Sequence, residues 1–140
     1  METAVEVKKL MMVDDDIAAH TFHKMMMDEA GWLNKDIEVV ECYSADEALD
    51  ILDNCIHEKI SPPQVILLDL NMPSKTGWDF LDAFSDIAFE DTPPVVYIIT
   101  NSEDPRDKQR AYSMSSVRAM KLKFLREDFF KELLNGQLPV

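Results

Sequence analysis

Three adjacent carboxylates, Asp14, Asp15 and Asp16, follow directly on the apolar run Leu10 to Val13, with nothing basic beside them. Like charges at neighbouring positions repel, and a chain leaving a core strand cannot turn all of them into water. A further carboxylate, Asp69, ends the apolar run of "QVILLDL", Thr100 ends "VVYIIT", and Lys121 or Lys123 stands at or just past the end of "VRAMKL". Carboxylates meeting at one edge raise one another's pKa and destabilise a fold unless a cation neutralises them. Hard oxygen donors with positions left open for water and phosphate suit Mg²⁺, and no His or Cys is placed to make the site a softer one. Asp16 is read differently, as the N-cap of the following helix, where a carboxylate is favourable in any case.

These residues are useful together only if the elements before them end on one edge. Short apolar runs alternate with longer amphipathic segments, the rhythm of βαβ units. The first strand is expected over about Val5 to Val13. The helix after it, about Ile17 to Ala30, carries Ile17, Phe22, Met25 and Met26 on its apolar face, with Gly31 beyond its end. "IEVVECYS" is the second strand, and Ser44 with Glu47 forms a capping box opening a helix with Ala48, Leu49, Ile51, Leu52 and Ile56. The continuous run "QVILLDL" reads as a central parallel strand buried on both faces. A loop with Pro73 and Gly77 leads to a helix carrying Trp78, Phe80, Leu81 and Phe84. "VVYIIT", a helix from about Pro105 to Met114, "VRAMKL" and the closing helix "REDFFKELL" complete the series. Five such units predict an α/β fold, a doubly wound (βα)5 five-stranded parallel sheet with right-handed crossovers and its site beyond the carboxyl ends of the strands.

Composition narrows the function classes. The chain has 140 residues, 14 Lys and Arg against 27 Asp and Glu, and a net charge of −13. That balance argues against a nucleic-acid backbone or an anionic membrane as partner and leaves proteins and small cations. Cys42 and Cys55 show no ligand spacing and are expected as buried free thiols in a reducing compartment. "METAVEVKK" lacks a secretory apolar region, so the chain is expected in the cytoplasm. His20, His23 and His57 fall in predicted helices and are expected at surface or half-buried positions; Trp32 and Trp78 are expected to pack.

"MMVDDD", "VILLDLNMPSKTGWDF", "VVYIITNS" and "VRAMKLKFLREDFF" resemble the four motif blocks of the response-regulator receiver domain of two-component signalling. The resemblance spans about Lys8 to Leu134, and it implies the flavodoxin-like strand order 2-1-3-4-5. It also implies one receiver domain over residues 1–140, with its core at about 8–134 and no output domain. Asp69 would be the phosphoacceptor, taking a phosphoryl group from a sensor histidine kinase or histidine phosphotransfer protein. Asp14, Asp15, Asp69 and the backbone carbonyl of Asn71 would hold Mg²⁺, while Thr100 and a lysine would contact phosphoryl oxygens. Alignment with the family's Lys-Pro pattern puts Lys123 in that role and leaves Lys121 inside the strand. Thr100 and Met120 would form the switch that alters the surface of the fourth helix, fifth strand and fifth helix for a downstream protein target, with a homodimer through the same surface possible.

Three positions depart from the family pattern. Phe124 stands where proline is usual, and because a cis bond before a non-proline residue costs about 2.5–4 kcal/mol, a trans Lys123–Phe124 bond is expected. Met120 replaces an aromatic residue, and Asn101 a small one that would leave more room beside Thr100. These departures keep open a receiver-like interaction module that takes no phosphate. A haloacid dehalogenase-like phosphatase is the enzyme alternative, but it needs an acidic residue where Asn71 stands. A flavodoxin-type carrier would set its flavin phosphate against Asp14 to Asp16.

Overall fold

A computed structural model describes residues 5–140; the first four residues of "METAVEVKK" lie outside the described residues. The elements alternate as β1 (Lys9–Val13), α1 (Ile17–Glu29), β2 (Glu38–Cys42), α2 (Ala45–Glu58), β3 (Val65–Leu68), α3 (Gly77–Phe84), β4 (Val95–Thr100), α4 (Pro105–Tyr112), β5 (Val117–Leu122) and α5 (Glu127–Leu134). The five strands form one parallel sheet in the order β2-β1-β3-β4-β5, so the doubly wound, flavodoxin-like architecture is as expected. Among the described residues, no helix is long and apolar enough to cross a membrane.

Both faces of the sheet are covered, which is why its central strand β3 is apolar at every position. Met11, Val13, Ile66, Leu68, Val96 and Ile98 face α2, α3 and α4, packing with Leu52, Phe80, Leu81 and Ala111. Their neighbours Leu10, Met12, Val65, Leu67, Tyr97 and Ile99 point the other way, onto Met26 and Met27 of α1 and Phe129, Phe130 and Leu133 of α5. Period-two alternation thus splits each strand between two cores. Cys42 and Cys55 are buried free thiols, and burial pushes the Cys42 thiol up to about 12.

Some local readings need correction. On α1, Ile17 is 68% and Met25 51% exposed, whereas Ala19, His20, His23, Met26 and Met27 are buried. The buried stripe therefore runs through both histidines, which are neither surface nor half-buried residues, and the helix is rotated away from the face that apolar side chains alone suggest. The Ser44 capping box is only half formed: Ser44 Oγ accepts the Glu47 N–H, but the Glu47 carboxylate accepts from Tyr43 N–H (2.7 Å) instead of from Ser44. A complete box occurs on α3, between Thr76 and Asp79. The first strand is shorter than expected, beginning at Lys9.

One glycine is fixed by close approach. A Cβ on Gly77 would lie 2.6 Å from the Asp69 carbonyl oxygen and 2.9 Å from Leu70 Cα, both backbone atoms without freedom to move aside. The Gly77 N–H also donates to the Leu70 carbonyl (2.9 Å), closing the loop after β3 onto the start of α3. Gly77→Ala should therefore lower stability by about 1–3 kcal/mol in urea unfolding, the usual range for overpacking. A change below about 0.5 kcal/mol would mean the loop has more room than this packing allows.

Candidate functional site

The register of the sheet brings the acidic residues together. Val13 pairs with Leu68 at the ends of β1 and β3, and the residues that follow the two strands are Asp14 and Asp69. The main chain holds both: Asp69 N–H donates to the Val13 carbonyl (2.9 Å) and Asp14 N–H to the Cys42 carbonyl (3.0 Å). Oxygens of Asp14, Asp15 and Asp69 lie within 4.8 Å of one another, with Asp14 and Asp69 buried and Asp15 open to solvent. Asp16 stands apart from the cluster as the N-cap of α1, accepting the Ala18 N–H (2.9 Å), while Asp14 Oδ1 accepts the Asp16 N–H (2.9 Å).

Lys123 completes the group from the far side of the sheet. A bulge accommodates one additional β5 residue between the Val96–Val117 and Tyr97–Ala119 pairs, after which the ladder runs to Thr100 opposite Leu122. Lys123 N–H then donates to the Thr100 carbonyl (3.1 Å). Its ammonium lies 3.0 Å from Asp14 Oδ2 and 3.7 Å from Asp69 Oδ2, with all three side chains nearly buried. Lys121 lies within β5, and its ammonium reaches the Val140 carbonyl instead.

The Lys123–Phe124 bond is cis, which overturns the expectation of a trans bond. Contacts on both sides hold this arrangement. Lys123 is fixed on Asp14, the Phe124 ring lies 5.3 Å from that of Phe22 and 5.7 Å from that of His23, and Leu125 N–H donates to His23 Nε2 (3.0 Å). Intrinsic preference is a weak guide where tertiary contacts decide.

Charge within the site is unbalanced. Burial and the neighbouring Asp14 charge push the Asp69 carboxyl up to about 6, against the opposing pull of Lys123. Burial pulls the Lys123 ammonium down, but its hydrogen bond and charge pairing with Asp14, together with Asp69, outweigh that and leave it above the ordinary lysine range. One ammonium against three carboxylates leaves the group net negative. A hard oxygen donor set, partly buried and open on the Asp15 side, fits a divalent cation such as Mg²⁺. In the loop after β3, Asn71 N–H donates to Asp69 Oδ1 (3.4 Å).

Thr100 is fully buried at the end of β4, and its Oγ1 accepts the Ser102 N–H (3.1 Å). Asn101 beside it is exposed. Met120 is half-buried on β5, its N–H donating to the Tyr112 hydroxyl of α4 (3.1 Å). A groove of about 460 Å³ separates the loop after β4 from Met120 and Leu122.

A family model described as the response regulator receiver domain matches residues 10–133. The chain belongs to the response-regulator receiver domain family. Among solved structures, this receiver domain is similar to a two-component response regulator from Cytophaga hutchinsonii (22% identity, TM-score 0.78, covering 93% of this chain and 96% of that one). It is also similar to a bacteriophytochrome response regulator (25%, TM-score 0.71, 96% and 97%) and to a phosphorylated cyanobacterial phytochrome response regulator (24%, TM-score 0.67, 92% and 89%). No curated protein sequence matches it. Membership makes it a signalling domain of the phosphorelay kind.

Two residues at this receiver site escaped the sequence reading. His20 Nε2–H donates to the Asp14 carbonyl (2.8 Å), and His23 accepts from Leu125 N–H, so both touch the backbone of loops that carry the site. Their three-residue spacing, in phase with Met26 and Met27, was the available signal. Burial, with the charges of His20 and Lys123, lowers His23 to about 4. Since the unfolded chain titrates near 6.5, it takes up this proton first as pH falls, so His23 stabilises the fold above 6.5 and that contribution, about 3 kcal/mol, is lost between 6.5 and 4. Asp69 has the opposite sign over nearly the same range, because its raised pKa makes the fold prefer the protonated form. The His23 contribution should therefore emerge as a difference: relative to His23→Gln, the native chain should lose stability on acidification from pH 7 to pH 4. Parallel pH profiles for the two chains would contradict the assignment.

Proposed function

We propose that Asp69 is the phosphoacceptor of this receiver and that the state of its carboxylate is passed to a partner through the α4-β5-α5 surface. The observation that carries this reading is the meeting of a buried Asp69 with Asp14, Asp15 and Lys123 at the carboxyl edge of the sheet. An Asp69 carboxylate oxygen attacks the phosphorus of a phosphohistidine on a sensor kinase or phosphotransfer protein. The O–P bond forms as the P–N bond breaks, and the bonding pair leaves with the imidazole, which is protonated.

The chain's residues have separate parts in this step. Asp14, Asp15, Asp69 and the Asn71 carbonyl are the proposed ligands of Mg²⁺, which when bound neutralises charge on the carboxylates and the transferring group. Lys123 is within reach of Asp69 and serves as a point charge for a phosphoryl oxygen. Thr100 would exchange its present bond to Ser102 N–H for one to the phosphoryl group, drawing the loop after β4 inward. Met120, beside the groove at the α4–β5 face, is the proposed follower of that movement. A downstream protein, or a second copy of the chain, then reads the changed population. The phosphatase alternative is weakened by Asn71, whose side chain cannot serve as a general acid.

Intact mass after incubation with acetyl phosphate tests this directly. One phosphoryl group should be added to the native chain in the presence of Mg²⁺, and none to Asp69→Asn or to the native chain with the cation chelated. An adduct that persists in Asp69→Asn would move the acceptor elsewhere. No adduct on the native chain would favour the interaction module that takes no phosphate.

A further inference from the structure

Both partners of the Lys123–Asp14 pair sit on segments whose backbone is held from α1. One turn apart on the buried face of that helix, His20 donates to the Asp14 carbonyl and His23 accepts the Leu125 N–H. The Lys123–Leu125 segment has two main-chain attachments here: Lys123 N–H to the Thr100 carbonyl of β4, and Leu125 N–H to His23 Nε2 across to α1. The first fixes where the segment leaves the sheet. The second fixes its direction, and with it the path of the Lys123 side chain toward Asp14 and Asp69. His23 itself has little freedom, since its ring lies within about 6 Å of the rings of Phe22, Phe124 and Phe130.

We infer that His23 is a positioning residue for Lys123: as a neutral imidazole accepting the Leu125 N–H, it aims the Lys123 ammonium at the phosphoacceptor. The inference rests on the reading of Asp69 and Lys123 given above. His23 touches neither the phosphoryl group nor the carboxylates in this scheme, and acts only through the backbone of the segment it holds. Misplacement of a charged group by an ångström is enough to slow transfer many-fold.

Glutamine can place an amide oxygen near the position of His23 Nε2, whereas asparagine is one bond too short and leucine offers no acceptor. The rate of phosphorylation by acetyl phosphate should fall about tenfold in His23→Leu and His23→Asn and return to within about threefold of native in His23→Gln. In a Lys123→Ala background the same changes at position 23 should alter the rate by less than about twofold, because the group they misplace is already gone. The NMR shifts of the Lys123 ε-methylene should move in His23→Asn and stay near native in His23→Gln. Equal rate losses in the presence and absence of the Lys123 ammonium, or an unmoved ε-methylene in His23→Asn, would overturn the inference. If the native chain takes up no phosphoryl group, the Asp69 reading fails while the ε-methylene shifts still decide what His23 positions. If His23→Leu does not fold, the Asn and Gln pair carries the comparison.

Discussion

The Lys123 ammonium, 3.0 Å from Asp14 and 3.7 Å from Asp69, is the contact on which the organisation of this receiver turns. Two buried carboxylates side by side would be a heavy burden on a fold of this size, and Asp15 adds a third charge at the same edge. Lys123 offsets part of this cost but not all of it: burial first, and then the Asp14 charge, keep the Asp69 carboxyl above the usual carboxylate range. What is left uncompensated is net negative charge at this edge, which favours a cation there. A fully neutralised cluster would give a more stable protein with less reason to bind Mg²⁺ or a phosphoryl group, a trade familiar at functional sites.

Bringing these charges together depends on the sheet more than on any local motif. Asp14 and Asp69 are distant in sequence but adjacent in space because β1 and β3 pair with their last residues aligned. Lys123 arrives from the edge strand after a bulge has advanced β5 by one residue against β4. The close approach of Gly77 to the Asp69 carbonyl fastens the intervening loop, and the two histidines of α1 fasten the loops at either end of the ion pair. Packing on both faces of the sheet makes this frame stiff enough to hold like charges in place.

Much of this architecture is legible in the chain. A short continuous apolar run such as that within "QVILLDL" is what a strand covered on both sides requires, and the acidic and hydroxyl residues that follow such runs mark one edge. What the pattern could not supply was decided by tertiary contact. Helix α1 is rotated so that polar His20 and His23 enter the core while Ile17 and Met25 face water, because the histidines find backbone partners there that isoleucine and methionine cannot use. Glu47 reaches Tyr43 in place of Ser44 for a similar reason: the side chain takes the backbone donor within reach. The cis bond after Lys123 likewise departs from residue preference, in a segment whose Lys123, Phe124 and Leu125 all meet distant residues.

An acidic edge of this kind should be destabilising alone and stabilised by a divalent cation. Urea unfolding of the native chain and of Asp69→Asn, well above pH 6 with and without saturating Mg²⁺, tests it most directly. Without the cation, Asp69→Asn should be the more stable chain, by about 2–3 kcal/mol, since it removes a buried charge the fold holds at a disadvantage. With Mg²⁺ at about a hundred times its dissociation constant, the native chain should gain about 2.7 kcal/mol and the variant much less, closing the gap. A native chain more stable than Asp69→Asn without the cation, and indifferent to its addition, would contradict the account.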